Sequence, residues 1–406
     1  LVVLGHFEIP GFSSGFIGVD LFFVISGFLI TGILLDEYAA SRDPQSRIGV
    51  ISLKAFYLRR ARRILPASLL VTLSILLYSW LTNNSSRFGT IFVDSVWSTL
   101  FSANYHFAIQ STDYFQIGAA PSPFQHFWSL SVEEQFYFVW PAIIVSALTF
   151  RALRFRGKLV TWQQRLVGIF TIISLISLAF MVFTFLFQPS LSYFLTLSRA
   201  WELSLGALAA ALVRTEGNFL SRFNEARLSG ILSITLIALG LVVITSRNFG
   251  FTLPLAILAA VLIVSKPANS ESIDSKILRS APLVFVGNIS YSLYLWHWPV
   301  YTFASESGWT ESIWSRVGLI GLSICLATLS YYFVERKFNT IGIPDFKPDN
   351  SVPLSKPIWA VTSIALFLGV FAGPAVAVQP NSQAFLSSLF VAKQSEAIDP
   401  VITPTP

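Results

Sequence analysis

The sequence predicts an all-α polytopic membrane protein, and three observations carry that reading. Of its 406 residues, 54% are hydrophobic and only 12% are charged, about half the ~25% charged share of soluble chains. Mean hydropathy is +0.66. The apolar runs are long and continuous, not ten-residue alternations. In lipid only helices and closed barrels satisfy their own backbone hydrogen bonds, so runs of this kind specify helices.

The elements follow in order. LVVLGHF at the start is too short to span and has neither a basic start nor a small-residue cleavage site, so it reads as the cut end of a longer helix and not as a signal peptide. Runs of near-spanning length follow at about 16–35, 64–82, 127–150, 166–187, 191–213, 228–246, 251–265, 282–304, 315–334 and 357–378. With the truncated first helix this gives about eleven spans. The 251–265 run is the shortest and contains Pro254. Domain organisation is read as a membrane core at 1–340, a cytoplasmic connection at 341–356, an additional transmembrane helix at 357–378, and a Pro/Ser/Thr-bearing extracytoplasmic tail at 379–406.

Charge orients the bundle. If the 36–63 connection is cytoplasmic and spans alternate from there, 22 lysines and arginines fall on that side and four on the other, with Arg199 inside a span. That asymmetry is the positive-inside pattern. The net charge of +6 is therefore a topology signal, and nucleic acid is not an expected partner. The lone Cys325 excludes disulfides within the chain. No histidine pair has ligand spacing, so no metal is expected. No phosphate-loop pattern is present.

Ionisable groups inside spans cost about 3 kcal/mol each at a helix centre, which makes them functional candidates by default. By depth, His6, Asp20, Glu133, Glu134, His297, Arg199 and Glu202 fall in the outer half. Within HFWSLSVEEQFYFVW, His126, Glu133 and Tyr137 share a helical face, while Glu134 points ~100° away toward another neighbour. The bland reading of these groups is a hydrogen-bond network that pins the bundle, and Arg199 with Glu202 at i and i+3 can satisfy each other. Gly15 and Gly18 fit a tight turn at the outer interface, leaving Asp20 to cap or pair. Gly27 fits close helix packing. His106 reads as structural, in an aromatic-rich outer connection that suits an interfacial helix or a cover.

At the inner face, KAFYLRRARRILPA places Arg59, Arg60, Arg62 and Arg63 just before an apolar span. They are either a topology anchor drawn to anionic lipid, or a guanidinium cluster that binds phosphates.

GFIGVDLFFVISGFLIT, FYLRRARRILPA, HFWSLSVEEQFYFVWP, SRAWELSLGALAA and GNISYSLYLWHWPVY, in this order, resemble the integral-membrane acyltransferase family 3, whose members O-acylate surface glycans such as lipopolysaccharide O-antigen and peptidoglycan. The resemblance covers residues 1 to about 340. It implies a ten-helix core that takes an acyl group, usually acetyl, from cytoplasmic acyl-CoA and delivers it to a glycan hydroxyl outside, from a multi-pass position in the cell's inner (plasma) membrane. Members with an eleventh span often carry an external SGNH-type domain, which this chain stops short of.

Residue by residue, the family's essential histidine corresponds to His6. Its companion arginine, eleven positions earlier, falls before residue 1. The family's arginine pair matches Arg59 with Arg62 and equally Arg60 with Arg63. Its acidic positions match Glu133 and Asp20. The mechanistic expectation is that His6 acts as base or acyl carrier, that Asp20 or Glu133 orients it, and that His297 and Tyr291 donate to the oxyanion. His126, Glu134, Tyr137, Arg199 and Glu202 form a supporting network. On that expectation the arginines hold the donor ~20–30 Å from His6. Two rivals compete: a transporter or lipid-linked glycan flippase, disfavoured by the missing inverted repeat, and a non-catalytic envelope scaffold whose polar groups only lock the bundle.

Overall fold

The computed structural model describes residues 1–13, 15–41, 51–82, 85–110, 121–149, 154–155, 158–159, 161–214 and 273–340. The expected spans at 228–246, 251–265 and 357–378, the connection at 341–356 and the tail at 379–406 lie outside the described residues.

The described chain is a helical bundle. Its helices are α1 (Val2–His6), α2 (Ile17–Ser41), α3 (Leu53–Leu81), α4 (Ser85–Thr99), α5 (Ala103–Ile109), α6 (Phe127–Thr149), α7 (Trp162–Phe187), α8 (Pro189–Phe194), α9 (Thr196–Val213), α10 (Ile273–Leu278), α11 (Ala281–Glu306) and α12 (Ile313–Ser330). A π-helical turn, Tyr331–Glu335, then leads into α13 (Arg336–Thr340). A two-residue antiparallel pairing, β1 (Arg154–Phe155) with β2 (Lys158–Leu159), closes the loop between α6 and α7.

Among the described residues four helical stretches are long and apolar enough to cross a membrane: Ile17–Ala40, Leu53–Leu81, Trp162–Phe187 and Ile313–Phe338. Large apolar side chains face outward on them, including Leu69, Leu73 and Leu77 of α3 and Ile172, Leu175 and Phe183 of α7. Such surfaces are stable against lipid and not against water. Helices α6, α9 and α11 carry more of the polar groups and bury many of them, among them Glu133, Glu202 and His297.

Two expectations are corrected. The span read as starting near 64 begins at Leu53, capped by the Ser52 hydroxyl, which accepts from the Ala55 amide at 3.3 Å. The four arginines therefore lie inside α3. Nothing in KAFYLRRARR breaks a helix; the arginines end the hydropathic run without ending the backbone hydrogen bonding.

The span read at 191–213 is two helices, α8 and α9, broken at Leu195, whose backbone is extended. The break leaves carbonyls without helical partners, and side chains supply donors. Arg199 Nε donates to the Tyr193 carbonyl at 3.1 Å, and the Ser198 hydroxyl donates to that of Ser192 at 2.8 Å.

The connection between α3 and α6 is helical over most of its described residues. Helix α4 buries Asp94, Ser95 and Ser98 and exposes Phe92, Val93 and Val96, the inverted amphipathicity of an element lying in lipid. Phe101 turns the chain into α5 with a positive φ of 51°, and its carbonyl accepts from Gln135 at 2.8 Å. His106 is structural in its contacts: its Nε2 lies 2.7 Å from Asp94, and its ring stacks on Trp97.

Helices α2 and α9 approach closely because each presents a glycine. A Cβ on Gly27 would stand 1.8 Å from the Leu203 carbonyl oxygen, and one on Gly206 would stand 1.9 Å from that of Val24. Gly15 allows a second close approach, since a Cβ there would lie 2.8 Å from the Gly5 Cα. The close packing expected at Gly27 is thus visible as a contact, whereas Gly15, expected to serve a turn, is held by the approach of α1.

Candidate active site

Three histidines remote in sequence meet at the junction of α1, α6 and α11. Helix α1 ends at His6, whose Nδ1 lies 2.9 Å from His297 Nε2 with the two rings nearly parallel, 3° apart. The edge of Trp298 packs against His6 at 4.6 Å between centroids. His126 stands edge-on to His297 at 5.7 Å.

Hydrogen bonding assigns the tautomers. His297 Nδ1 faces two backbone carbonyls, Tyr294 at 2.7 Å and Leu293 at 3.1 Å. Carbonyls only accept, so this nitrogen carries the proton and Nε2 carries the lone pair. His6 Nδ1–H then donates to His297, which places the His6 lone pair on Nε2. His126 Nε2–H donates to the Leu295 carbonyl at 3.1 Å, and its Nδ1 is buried without a hydrogen-bond partner. Among the described residues no group of three or more His, Cys, Asp or Glu side chains is placed to hold a metal.

The two glutamates of α6 are held by one arginine. Arg60 donates to Glu134 through Nε at 3.1 Å and through an Nη at 2.9 Å, and the same Nη lies 3.2 Å from Glu133. Glu133 also accepts from Ser26 at 2.7 Å and from Tyr137 at 2.6 Å. The guanidinium covers the Tyr137 ring at 3.8 Å. Glu133 and Tyr137 share a face as the spacing requires. Glu134 reaches the same arginine instead of a different neighbour, because a long guanidinium fork spans the angle between adjacent positions on α6.

This network changes the expected map. Glu133 sits with Arg60, and Asp20 accepts from Arg199 at 2.7 Å; the group that the structure sets against the His6 ring nitrogen is His297. Tyr291, expected to face the oxyanion, donates to the Ile64 carbonyl of α3 at 3.0 Å. Separation also differs. Glu133 lies seven residues past His126 on α6, and Tyr291 lies six before His297 on α11, so Arg60 is roughly 10 Å from the histidines along either helix at ~1.5 Å per residue, closer than the expected 20–30 Å. The depth of α3 explains it, since its arginine-bearing turns continue the same rod.

Arg199 answers the pairing expected with Glu202, at 2.9 Å, and adds Asp20 through the same nitrogen. The guanidinium lies over Tyr193 at 4.8 Å. It fastens α2 to the α8–α9 break. Arg59 pairs with Glu37 at the exposed end of α3 at 2.6 Å, and Arg63 is exposed there and close enough to act electrostatically on Glu134 and Glu335.

Several participants were not legible from spacing. Ser26, Trp298 and Glu335 belong to the site, the last buried and accepting from Ser292 at 2.9 Å. A second polar knot joins α5, α6 and α9: Asn104 Nδ2 donates to Thr196 at 2.9 Å, Gln135 Nε2 donates to Asn104 at 2.9 Å, and Thr196 donates to Gln135. Tyr105 lies beside it, and burial raises its phenol above the ordinary range. Isolated hydroxyls and amides do not announce their partners in a hydropathic pattern, so only the fold exposes their convergence.

A family model described as "Acyltransferase domain" matches residues 1–335. The "Peptidoglycan O-acetyltransferase OatA" of Listeria monocytogenes is 31% identical over 392 residues, covering 91% of this chain and 60% of that protein. The "Putative peptidoglycan O-acetyltransferase YrhL" of Bacillus subtilis is 30% identical over 379 residues, covering 89% of this chain and 56% of that protein. The chain thus spans about three fifths of the length of the curated relatives it matches. No solved structure matches it.

Proposed function

The chain belongs to this acyltransferase family and has several helices able to cross a membrane, and on that premise we propose that it moves an acetyl group from cytoplasmic acyl-CoA to a hydroxyl of an envelope glycan, peptidoglycan first among the candidates. The observation that carries the reading is the His6–His297 pair, at 2.9 Å.

In this reading His6 Nε2 takes the proton of the acceptor hydroxyl as its oxygen attacks the thioester carbonyl. The carbon–oxygen bond forms, the carbon–sulfur bond breaks, and the departing thiolate recovers a proton from the imidazolium. His297 keeps the His6 lone pair on Nε2 and accepts from the imidazolium as charge develops, the orienting role that a carboxylate plays in other triads. In the covalent variant the same lone pair attacks the thioester first, the carbon–sulfur bond breaks to release the thiolate, and the acceptor oxygen then takes the acyl group from His6 as its proton passes to the thiolate.

Donor recognition falls to the arginine-bearing turns of α3. Arg59, Arg62 and Arg63 offer forks that match phosphate oxygens. Arg60, already facing two carboxylates, acts chiefly to hold the passage wall between the donor end and the histidines. The enzyme then sits in the inner (plasma) membrane, with its 379–406 tail outside and lipid around it. Among the acceptors expected from the sequence, the names of the relatives favour peptidoglycan over lipopolysaccharide.

The test uses purified chain, acetyl-CoA and a β-1,4-linked N-acetylglucosamine oligomer, read by mass spectrometry. Acetylated oligomer formed by the wild type and lost in His6→Ala is the expected result. Incubation with labelled donor alone separates the two routes, since an unlabelled but competent enzyme removes the acyl-histidine. Movement of a lipid-linked glycan in liposomes with no acyl consumption would replace the enzyme by a flippase.

A further inference from the structure

The ends of α3 and α11 on the side of the histidines do not close on one another. Between them lies a cleft of about 350 Å³, lined by Tyr78 and Ser79 of α3 with its cap Thr82, by Ile91 of α4, and by Phe303 and Glu306 of α11 with its cap Ser307.

Its chemistry is specific. Tyr78 and Phe303 form an aromatic wall, centroids 4.5 Å apart and rings tilted by 46°, and Tyr78 is 45% exposed. Ser79 is buried, and its hydroxyl has no hydrogen-bond partner in the protein. The Glu306 carboxylate is paired with Arg87. An aromatic wall beside a carboxylate acceptor and several hydroxyls suits a ligand with apolar C–H faces and hydroxyl edges. A lipid tail would leave the polar groups without partners, and a phosphate would meet the Glu306 carboxylate.

The cleft is also wired to the histidines. Phe303 lies six residues beyond His297 on α11, ~9 Å along the axis. Arg87, which pairs with Glu306, donates to the Pro121 carbonyl at 2.7 Å. The neighbouring Ser122 carbonyl accepts from Trp298 Nε1 at 2.8 Å, and Trp298 packs its edge on His6. One short segment, 121–126, therefore runs from the cleft wall to His126.

We propose that this cleft is an acceptor subsite that binds a neutral pyranose unit of a glycan strand, so that a neighbouring unit presents its hydroxyl to His6. The proposal rests on the acyl-transfer reading for its purpose, but binding is measurable without turnover.

The probe is a radiolabelled β-1,4-linked N-acetylglucosamine pentamer, applied to the full chain in detergent and read by equilibrium dialysis. Glu306→Gln keeps the shape of the cleft and removes its charge. Phe303→Ala removes the aromatic wall, and Ser307→Trp fills the space from an exposed position. Each is expected to weaken pentamer binding by about tenfold or more, with coenzyme A binding retained as the mark of a folded protein. Wild type that fails to bind the pentamer overturns the proposal. So do variants that bind it as the wild type does, or that lose pentamer and coenzyme A together. Pentamer binding without acetyl transfer by the wild type would leave the subsite standing and remove the enzyme reading instead.

Discussion

His6 Nδ1 and His297 Nε2 stand 2.9 Å apart although 291 residues separate them in the chain. The backbone carbonyls that hold the His297 proton on Nδ1 thereby decide which nitrogen of His6 carries the lone pair. His297→Ala removes that decision without touching the reacting nitrogen. Turnover is expected to fall by about 10²- to 10³-fold with little change in KM for either substrate. His297→Gln, whose side-chain carbonyl can accept from His6, is expected to recover part of the loss. Steady-state kinetics on the two variants check this, and full turnover in the alanine variant would show the pair to be a packing contact.

Arg60 presents the opposite case, a residue whose loss strands its neighbours. Arg60→Ala leaves Glu133 and Glu134 buried without their cation, which costs about 3–5 kcal/mol when one partner of a buried pair is removed. Adding Glu134→Gln is expected to return much of that stability, because it discharges one of the two stranded carboxylates. Thermal unfolding in detergent measures both. A purely donor-binding Arg60 would instead raise KM for acetyl-CoA and leave the unfolding midpoint where it was.

The same comparison shows what a sequence carries and what it does not. Depth and face follow from helix geometry, so the pairing of Glu133 with Tyr137 and of Arg199 with Glu202 was legible in the spacing, as was the close packing at Gly27. The partners of these groups across helices were not. Asp20 faces Arg199 and His6 faces His297, and nothing in a one-dimensional pattern chooses among neighbours at one depth; Glu133 faces Arg60, which the hydropathic boundary sets at the opposite face. Hydropathy also misplaced two boundaries for one reason. It reports solvent preference and not backbone continuity, so it ended α3 at the arginines and ran through the break at Leu195.

Arg63 separates anchoring from donor binding. It is exposed in the N-terminal half of α3, and among the described residues it forms no ion pair. Arg63→Ala is expected to raise KM for acetyl-CoA by about fivefold to tenfold, near the 1–1.5 kcal/mol of a charge-assisted contact, and to leave thermal stability within ~0.5 kcal/mol. The effect should shrink as salt is raised, because exposed charges are screened. An unchanged KM would return this arginine to the role of topology anchor.

The site finally depends on how closely α2 can lie against α9, since these two helices bring Asp20 to Arg199. At Gly27 a methyl group would meet the Leu203 carbonyl oxygen at 1.8 Å, and the obstacle is backbone, which cannot rotate away as a side chain can. Gly27→Ala must therefore push the helices apart, at about 1–3 kcal/mol for overpacking, and the Asp20–Arg199 contact lengthens with them. Gly168 of α7 supplies the control, because a Cβ there meets nothing within 4 Å, and Gly168→Ala is expected to be neutral or stabilising by up to ~1 kcal/mol. Unfolding midpoints and acetyl transfer measured on the two variants should therefore diverge, with Gly27→Ala losing both. Equal behaviour would mean that the α2–α9 approach is not what holds Asp20 against Arg199.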